Sequence, residues 1–378
     1  MMTNRILGPN DPALVALATI LTSHPEWETE LVILPWAEYQ AALEAALQAE
    51  VSPFQAVCVP GHIWLPGLID KGQLAAFDPL LTTLPVEVQL AYNARDLVPS
   101  VAVEACFDGQ TYLLPLFTDG HLLFFNKAYI DLPDGSTVLP LTLASLASMA
   151  RLPVGVHALA IKAHPSEIFL DWLPYLWEAG GEVIDPNGAP GFAGPAGIEA
   201  LEYYVSLKRF CPPQPEGYGN EEIAVALSEG RVALATSWGG QAAVIFSGQA
   251  DLGVALFPQP WNTTWGISLP ANQPEAAQLS ILERLYLACG PELDRDVTLV
   301  AGSPVRLSSY RAEDFARYPW LAAQYEMLRR AKNLPADPSL GSFLGDLYAA
   351  VFQAFTGQMA PEQALKLAEM KAEMVLKA

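Results

Sequence analysis

One aspartate and one histidine interrupt an otherwise apolar stretch of this chain. The stretch GQTYLLPLFTDGHLLFFNKAYI runs from Gly109 to Ile130, and Asp119 and His121 flank Gly120 in its middle. Burying a carboxylate without a partner is costly, so a buried strand gains nothing from an aspartate. We expect the chain either to turn in solvent here or to present these polar groups to a bound molecule.

Motifs for covalent or metal chemistry are missing from the sequence. It has no HExxH, no phosphate-binding loop and no nucleophile elbow, and GYGNEE lacks the third glycine of a dinucleotide loop. The segment HPSE at His164 has metal-like residue types but is isolated, so we expect a surface loop. Four widely spaced cysteines contain no CxxC pair: Cys58, Cys106, Cys211 and Cys289. We expect no metal site and no cofactor, and the spacing leaves one or two disulfides open.

Several tryptophans are candidates for non-covalent contact with a ligand. Trp238 precedes Gly239 at the predicted end of a strand, where a glycine lets a flat ligand approach the backbone. An indole presents an apolar face and one N–H donor, which suits a ligand with both apolar and polar surface. Trp172 and Trp177 lie in a predicted helix, where a core position competes with a ligand contact.

Length and composition bound the class of protein. The 378 residues exceed one ordinary core and predict two lobes, and 52% hydrophobic against 16% charged residues allows a large interior. No stretch approaches 18 consecutive apolar residues, which predicts a soluble chain. A formal net charge of −21, with no basic stretch, excludes nucleic-acid binding and disfavours an acidic membrane surface.

The first residues, MMTNRILGPND, contain no basic region, apolar segment or lipobox-like cysteine. Taken literally they predict a cytoplasmic protein. If an export signal has been removed before this point, we expect a periplasmic or extracellular protein that is tethered to the membrane in its native form.

The N-terminal third alternates predicted strands and helices. The strands are NRILGP, TELVILPW and FQAVCVPG, and the helices are DPALVALATILTSHPEW and AEYQAALEAALQAEV. This order predicts an α/β fold with a mostly parallel sheet, whose ligands lie beyond the carboxyl ends of the strands. Trp36, Gly61 and His62 follow the second and third strands and therefore fall where a ligand is expected.

The remaining segments continue the alternation. Helices are predicted in LTLASLASMARLP, IFLDWLPYLWEAGGEVID, GPAGIEALEYYVSLKRF, QPEAAQLSILERLYLACG and PEQALKLAEMKAEMVLKA. Strands are predicted in RVALATSW and ADLGVALFPQPWN, and loops in CPPQPEGYGN and AGSPVRLSSYR.

Six segments in this order resemble the extracellular solute-binding proteins of ABC importers, in the sugar-binding family that includes maltose-binding protein. They are FQAVCVPGHIWLPGLIDKGQLAAFDPLL, YLLPLFTDGHLLFFNKAYI, LSEGRVALATSWGG, LGVALFPQP, AGSPVRLSSY and FQAFTGQMAPEQALKLAE. The second is the most specific, with Tyr-x-x-Pro before a polar turn and a strand ending in Asn-Lys. The resemblance covers nearly the whole chain, but the family's usual P-x-T-W-x-E segment is not found.

This resemblance implies a type II periplasmic-binding-protein fold of two α/β lobes joined by hinge crossings, with the ligand in a cleft between them. The crossings map to residues 114–116, 257–260 and 303–306. Lobe one then comprises residues 1–116 and 257–305, and lobe two comprises residues 117–256 and 306–378. We expect a monomer that closes over its ligand by hinge motion.

The same resemblance assigns ligand contacts across both lobes. The expected contacts are Trp36, Gly61, His62 and Trp64 on lobe one, Asp119 and His121 at the hinge, Trp172, Trp238 and Gly239 on lobe two, and Trp265 and Arg306 near the later crossings. Asp119 lies where family members often bind a sugar hydroxyl, a contact that carboxylates make well. A helix cap or a hinge salt bridge is the alternative role for Asp119.

The expected ligand is a neutral sugar, from a monosaccharide to an oligosaccharide, and the expected partners are the permease subunits of an ABC importer. Few basic residues lie near the crossings, which disfavours an anion. A cation such as a polyamine stays open, because Asp119 and Trp238 suit one through charge and cation–π contact. A glycoside-active enzyme is the rival class, with Asp171 as the only second carboxylate available, and a sensor that has lost transport is a third.

Overall fold

The computed structural model describes residues 4–61, 63–132, 138–139, 141–248, 250–301 and 304–377, and among these the side chains of all but 297–301. His62, which was predicted to lie in the ligand site, falls outside the described residues.

The chain contains helices and strands throughout. The strands are β1 Asn4–Pro9, β2 Thr29–Leu34, β3 Ala56–Pro60, β4 Leu74–Ala75, β5 Cys106–Phe107, β6 Gln110–Thr111, β7 Leu114–Asp119, β8 His121–Asn126, β9 His157–Ala160, β10 Val232–Trp238, β11 Leu252–Ala255 and β12 Thr263–Pro270. The helices are α1 Pro12–Ser23, α2 Trp36–Gln48, α3 Leu65–Asp70, α4 Asp78–Leu81, α5 Val86–Tyr92, α6 Pro99–Glu104, α7 Leu143–Met149, α8 Ile168–Glu178, α9 Pro195–Ser206, α10 Asn220–Ser228, α11 Ala242–Phe246, α12 Glu275–Ala288, α13 Pro291–Ala301, α14 Ala312–Phe315, α15 Trp320–Arg330, α16 Leu340–Phe355 and α17 Pro361–Leu376.

These elements form two compact units that share the chain. Unit 1 comprises residues 1–119, 263–311 and 336–338, and unit 2 comprises residues 120–262, 312–335 and 339–378. The chain passes between units at 119/120, 262/263 and 311/312, a few residues beyond each crossing implied by the family resemblance, and again at 335/336 and 338/339. The mixed α/β architecture is the predicted two-lobe periplasmic-binding-protein fold.

The sheet of unit 1 has the strand order β2-β1-β3-β12-β4, with β7 also paired to β12. Strands β1, β2 and β3 are parallel, and β12 runs antiparallel to β3, β4 and β7. The parallel part confirms the predicted β-α-β-α-β order. Because these three strands point the same way, their carboxyl ends at Pro9, Leu34 and Pro60 lie at one edge of the sheet.

Local signals explain why the first helix forms where it does. Asp11 caps α1 by accepting a hydrogen bond from the Ala13 backbone N–H at 2.9 Å, and Pro12 occupies the first turn. The helix buries Leu14, Leu17 and other apolar side chains against the sheet core. A second apolar cluster of unit 1 contains Tyr39 and Leu43 of α2 together with strand β3.

The sheet of unit 2 has the order β11-β8-β10-β9. Strand β10 is parallel to β9 and antiparallel to β8, and β11 is antiparallel to β8. The carboxyl ends of β9 and β10 and the amino end of β8 therefore share one edge. Helix α8 is buried along almost its whole length, from Ile168 to Trp177, and packs on α9 and α16.

Among the described residues, no helix combines the length and the apolarity that crossing a bilayer requires. All four cysteines are free thiols, of which two are buried, one is partly buried and one is exposed.

Candidate functional site

Tryptophans gather at the carboxyl edge of the unit 1 sheet. Trp36 begins α2 directly after β2, and Trp265 lies on β12 opposite Pro60, the last residue of β3. Their rings meet edge to face, with centroids 5.2 Å apart. Trp36 is 47% exposed, so this edge presents an indole to solvent.

Other aromatic rings pack against the indoles of Trp36 and Trp265. Trp265 stacks on Phe117 of β7, with centroids 5.9 Å apart and planes only 5° from parallel. Tyr39 contacts Trp36 edge to face and stacks on Trp64, which caps α3. The predicted residues Trp36, Trp64 and Trp265 therefore belong to one aromatic cluster of unit 1, and the apolar ring faces of such a cluster suit the C–H surface of a ligand.

Gly61 brings the loop after β3 close to β12. Its backbone N–H donates to the carbonyl of Thr264 at 2.8 Å. A Cβ at this position would lie 2.8 Å from that same oxygen, so only glycine fits without moving the strand. Gly61 is buried and contributes to the site by shaping the backbone.

Asp119 ends β7 opposite Thr263 of β12 and is partly buried. A chain of hydroxyls lies beside it in the interior of unit 1. The Thr118 hydroxyl donates to the Thr263 carbonyl at 3.1 Å, and the Thr264 hydroxyl contacts both Thr118 and the Glu104 carboxylate. Asp119 and Glu104 are only partly buried, so both keep contact with solvent.

In unit 2, Trp238 and His121 lie opposite each other on adjacent strands. Trp238 ends β10 and pairs with His121 at the start of β8. Their rings pack edge to face at 4.5 Å, and Trp261 contacts both, with centroid distances of 5.3 Å to Trp238 and 5.4 Å to His121. Trp238 is partly exposed, whereas His121 and Trp261 are buried.

A charged pair lies against the Trp238 indole. The Trp238 Nε1–H donates to Glu167 Oε2 at 2.8 Å, and Lys162 Nζ lies 3.2 Å from the same oxygen. The ammonium is also 4.7 Å from the centroid of the Trp238 ring, which is cation–π distance. Lys162 is fully buried and its partner carboxylate is 17% exposed.

Burial governs the charge of His121. Desolvation, with the nearby Lys162 ammonium, holds the pKa of His121 well below its usual value, so the imidazole is neutral at physiological pH. Its Nδ1 lies 3.5 Å from Asp171 Oδ1, and neither ring nitrogen has a hydrogen-bond partner among the described residues. The structure therefore places His121 behind Trp238, as packing for the indole.

Asp171 is fully buried, and protein groups occupy both of its oxygens. Oδ1 accepts from the Thr236 hydroxyl at 2.5 Å, and Oδ2 accepts from the Tyr204 hydroxyl at 2.9 Å and the Lys162 backbone N–H at 3.2 Å. Burial raises the pKa of this carboxyl, and its hydrogen bonds partly offset that shift. An acid or base role for Asp171 toward an external ligand does not fit this placement.

Besides His121, the structure places two further predicted ligand contacts in the interior. Trp172 has no exposed surface and packs on Phe169 within α8. Arg306 is fully buried in unit 1, where its guanidinium donates to the carbonyls of Asn93 at 3.1 Å and Cys289 at 2.8 Å. Both residues hold their own unit together, and neither reaches the tryptophan edges described above.

Gly239 follows Trp238 and is also buried. Its backbone N–H donates to the Gly120 carbonyl at 2.9 Å, which ties the end of β10 to the start of β8. Gly239 thereby fixes where the Trp238 backbone leaves the sheet.

Sequence reasoning missed Lys162 and Glu167. Lys162 follows the short strand β9, and Glu167 is the glutamate of HPSE, which was interpreted as part of an isolated loop. A lysine next to the buried apolar residues 158–161 was the available signal, because a buried ammonium needs a partner. The partner lies in the segment between β9 and α8, and the fold of that segment brings the two charges together.

The sequence and the fold of this chain are similar to those of several known proteins. The chain is 24% identical over 329 residues to a mannitol-binding protein of Pseudomonas aeruginosa, covering 76% of this chain and 74% of that protein. A solute-binding protein of Agrobacterium radiobacter in complex with ribitol superimposes with a TM-score of 0.83 at 17% identity, covering 99% of this chain and 98% of the other.

A maltose-bound protein of T. maritima superimposes equally well, with a TM-score of 0.83 at 17% identity over 99% of this chain and 100% of the other. Residues 15–279 match the family described as bacterial extracellular solute-binding protein, which is more than half of the chain. This chain therefore belongs to the bacterial extracellular solute-binding protein family.

Proposed function

We propose that this chain is the substrate-binding component of an ABC importer and that its ligand is a small neutral sugar or sugar alcohol. The observation that carries the proposal is a solvent-facing indole at the strand ends of each unit, Trp36 in unit 1 and Trp238 in unit 2. Indole faces pack on the C–H surfaces of sugars and polyols, and the Trp36 face is open to such contact.

Asp119 supplies the polar half of this recognition. It is partly exposed at the end of β7, on the same sheet edge as Trp265. A carboxylate can accept hydrogen bonds from two ligand hydroxyls at once. Asp119 with the tryptophans matches a molecule that carries hydroxyls on one side and C–H groups on the other.

The burial of Lys162 and Arg306 favours a neutral ligand over an anion. Lys162 pairs with Glu167, and Arg306 donates to backbone carbonyls inside unit 1. Neither cation is presented to solvent, so neither is placed to neutralise a phosphate or carboxylate of a ligand. The relatives named for mannitol, ribitol and maltose bind molecules of the proposed neutral, hydroxyl-rich class.

We further propose that the chain binds its ligand without transforming it. Hydrolysis of a glycosidic bond uses two carboxyl groups that flank it. Asp171, the second carboxyl that the sequence offered, has both oxygens occupied by protein donors in the interior of unit 2. Family membership supports a monomeric transport receptor that works outside the cytoplasm and delivers its ligand to permease subunits.

A thermal-shift screen with product analysis tests this proposal. Purified protein is melted with ribitol, mannitol, tagatose, maltose, spermidine and inorganic phosphate, and each well is then analysed by mass spectrometry. We expect a neutral polyol or sugar to raise the Tm with concentration, as mass action requires, and to remain intact. Stabilisation by spermidine or phosphate alone contradicts the ligand class, and consumption of a sugar contradicts the receptor role.

Variants of the two proposed contacts sharpen the test. Trp238→Ala removes an aromatic face and should cost about 1–3 kcal/mol, a roughly 5- to 150-fold rise in Kd by calorimetry. Asp119→Asn should also weaken binding, and an unchanged Kd would assign Asp119 to the crossing instead. Trp27→Ala is the matched control, because Trp27 precedes β2 at the opposite end of the sheet from Trp36.

A further inference from the structure

We propose that Lys162 and Glu167 are positioning residues for Trp238, and that this pair sets ligand affinity without touching the ligand. The inference rests on the proposed function for its affinity part. Its structural part, that the pair fixes the orientation of the indole, stands on the geometry of unit 2 alone.

The first step is the hydrogen bond that fixes the indole edge. Trp238 Nε1 and Glu167 Oε2 are 2.8 Å apart, and a tryptophan has only this one polar group to orient it. A carboxylate acceptor makes the bond charge-assisted and therefore stronger than a neutral one. Rotation of the ring out of its present plane would break this bond.

The second step is the ammonium that holds the carboxylate. Lys162 Nζ lies 3.2 Å from the oxygen that accepts the indole N–H, and Lys162 is fully buried. The other oxygen, Oε1, receives a long hydrogen bond of 3.4 Å from Asn220 at the start of α10. Glu167 is thus held from two directions, and its position follows from the packing of unit 2.

The third step is the ring itself. Lys162 Nζ lies 4.7 Å from the centroid of the Trp238 ring, His121 packs against the ring edge to face, and Trp261 contacts it at a tilt of 60°. These contacts come from three separate segments of the chain. The indole is therefore restrained through its N–H and by neighbouring rings, while part of its surface stays exposed to solvent.

A restrained indole binds better than a mobile one, because ordering a side chain on binding costs free energy. Loss of the acceptor frees the ring and requires the ligand to order it. The expected result is weaker binding from residues that need not contact the ligand.

Two double variants of equal net charge, called Met/Gln and Met/Met, test how the acceptor of the Trp238 N–H affects ligand affinity. Lys162→Met with Glu167→Gln removes both charges but keeps an oxygen that can accept the indole N–H. Lys162→Met with Glu167→Met removes the charges and the acceptor. The two double variants have similar side-chain volumes, and they differ in whether residue 167 offers an oxygen to the Trp238 N–H and to Asn220.

We expect the Met/Gln variant to bind the sugar or polyol found in the screen about threefold more weakly than the wild-type protein, because its acceptor has lost its charge and the ammonium that holds it. The Met/Met variant should bind about tenfold more weakly, the scale of ordering one side chain on binding. Equal Kd values in the two double variants would overturn the affinity part of the proposal.

The indole N–H resonance of Trp238 in ligand-free protein, assigned with Trp238→Phe, tests positioning directly. We expect a hydrogen-bonded, downfield signal in the wild-type protein and the Met/Gln variant, and an upfield shift in the Met/Met variant. The same signal in both would overturn the positioning role. If the wild-type protein binds no sugar or polyol, the proposed function fails, and this resonance still decides the role of the pair.

The control is a different ion pair of unit 2. Lys371 Nζ and Asp346 Oδ1 lie 2.5 Å apart on α17 and α16, at partly exposed positions. Asp346→Asn should change neither the Kd nor the Trp238 resonance. A matching loss of affinity in this variant would show that removing any ion pair weakens binding and would contradict a specific role for Lys162 and Glu167.

Discussion

Single residues decide how closely the strands of each unit approach one another, and Gly120 shows this best. It joins β7 to β8, and an added Cβ would lie 1.9 Å from the Trp261 carbonyl oxygen and 2.8 Å from Met327 Sδ. The clash is with backbone as well as with a side chain, so rotation of a side chain cannot relieve it. Glycine at this position lets Trp261 pack behind Trp238.

We therefore expect Gly120→Ala to lower the free energy of unfolding by about 3 kcal/mol, near the upper end of overpacking costs. Urea denaturation followed by tryptophan fluorescence measures the loss. Gly345→Ala is the control of opposite sign. Gly345 is exposed inside α16 with no heavy atom near its added Cβ, so alanine should stabilise the helix by up to about 1 kcal/mol. Similar effects from both substitutions would contradict the steric argument.

At the scale of elements, a buried carboxyl joins α13 to the connector that follows it. Asp294 Oδ1 accepts from the Val305 backbone N–H at 3.1 Å, and Oδ2 accepts from the Ser309 hydroxyl at 2.5 Å. Burial raises the pKa of Asp294 from 3.8 to about 6, with Arg306 and these hydrogen bonds opposing the shift. The folded protein therefore binds this proton more tightly than the unfolded chain does.

The sign of the pH effect follows from linkage. Because the folded pKa is the higher one, the stabilisation is complete below pH 3.8 and is lost as the pH rises through about 6. The shift corresponds to about 3 kcal/mol. We expect Asp294→Asn to make stability fall less steeply between about pH 4 and pH 7 in chemical denaturation. An unchanged slope for Asp294→Asn would contradict this assignment.

Elements with strong local signals were predictable from the sequence. The capped helix α1, the apolar strands β1 to β3 and the final helix α17 form where their patterns indicate. Strand β12 was not predicted, because the pairing of TTWGISLP with β3 and β7 depends on partners more than 100 residues away in the chain. Local periodicity carries no information on such pairing.

The candidate site was predictable only where local sequence signals, rather than long-range packing, place a residue. Trp36 and Trp238 follow from strand ends that the sequence shows, whereas Trp265 lies on β12 and was expected only from the family resemblance. The burial of Trp172 and Arg306 depends on which face of a helix or connector meets the core, and three-dimensional packing decides that. The contact between Lys162 and Glu167 depends on how the segment between β9 and α8 folds. No motif in the chain encodes that fold.

At the scale of the whole molecule, an excess of acidic residues sets the response to salt. The formal net charge is −21 at pH 7, and self-repulsion of this charge disfavours the compact state. Salt shortens the screening length from about 30 Å at 0.01 M to about 10 Å at 0.1 M. We expect the Tm at pH 7 to rise over this range, with most of the gain at the low end.

Calorimetry at pH 7 and near pH 4.5, the isoelectric point of the sequence, checks this expectation. Near the isoelectric point the net charge is close to zero, so the salt effect on Tm should largely vanish. A Tm that falls with added salt at pH 7 would show that attractive ion pairs outweigh the net repulsion.

The pairing of Asp119 with Thr263 has a consequence for the history and engineering of this chain. These two residues are neighbours on adjacent antiparallel strands, yet 143 residues of unit 2 separate them along the sequence. Residues 120–262, the larger part of unit 2, are thus inserted into unit 1, their host, at what would otherwise be a hairpin tip. Residues 312–335 and 339–378 complete unit 2. A two-residue Asn-Gly turn could close that tip, and a reporter domain could be placed there without cutting a strand of the host sheet.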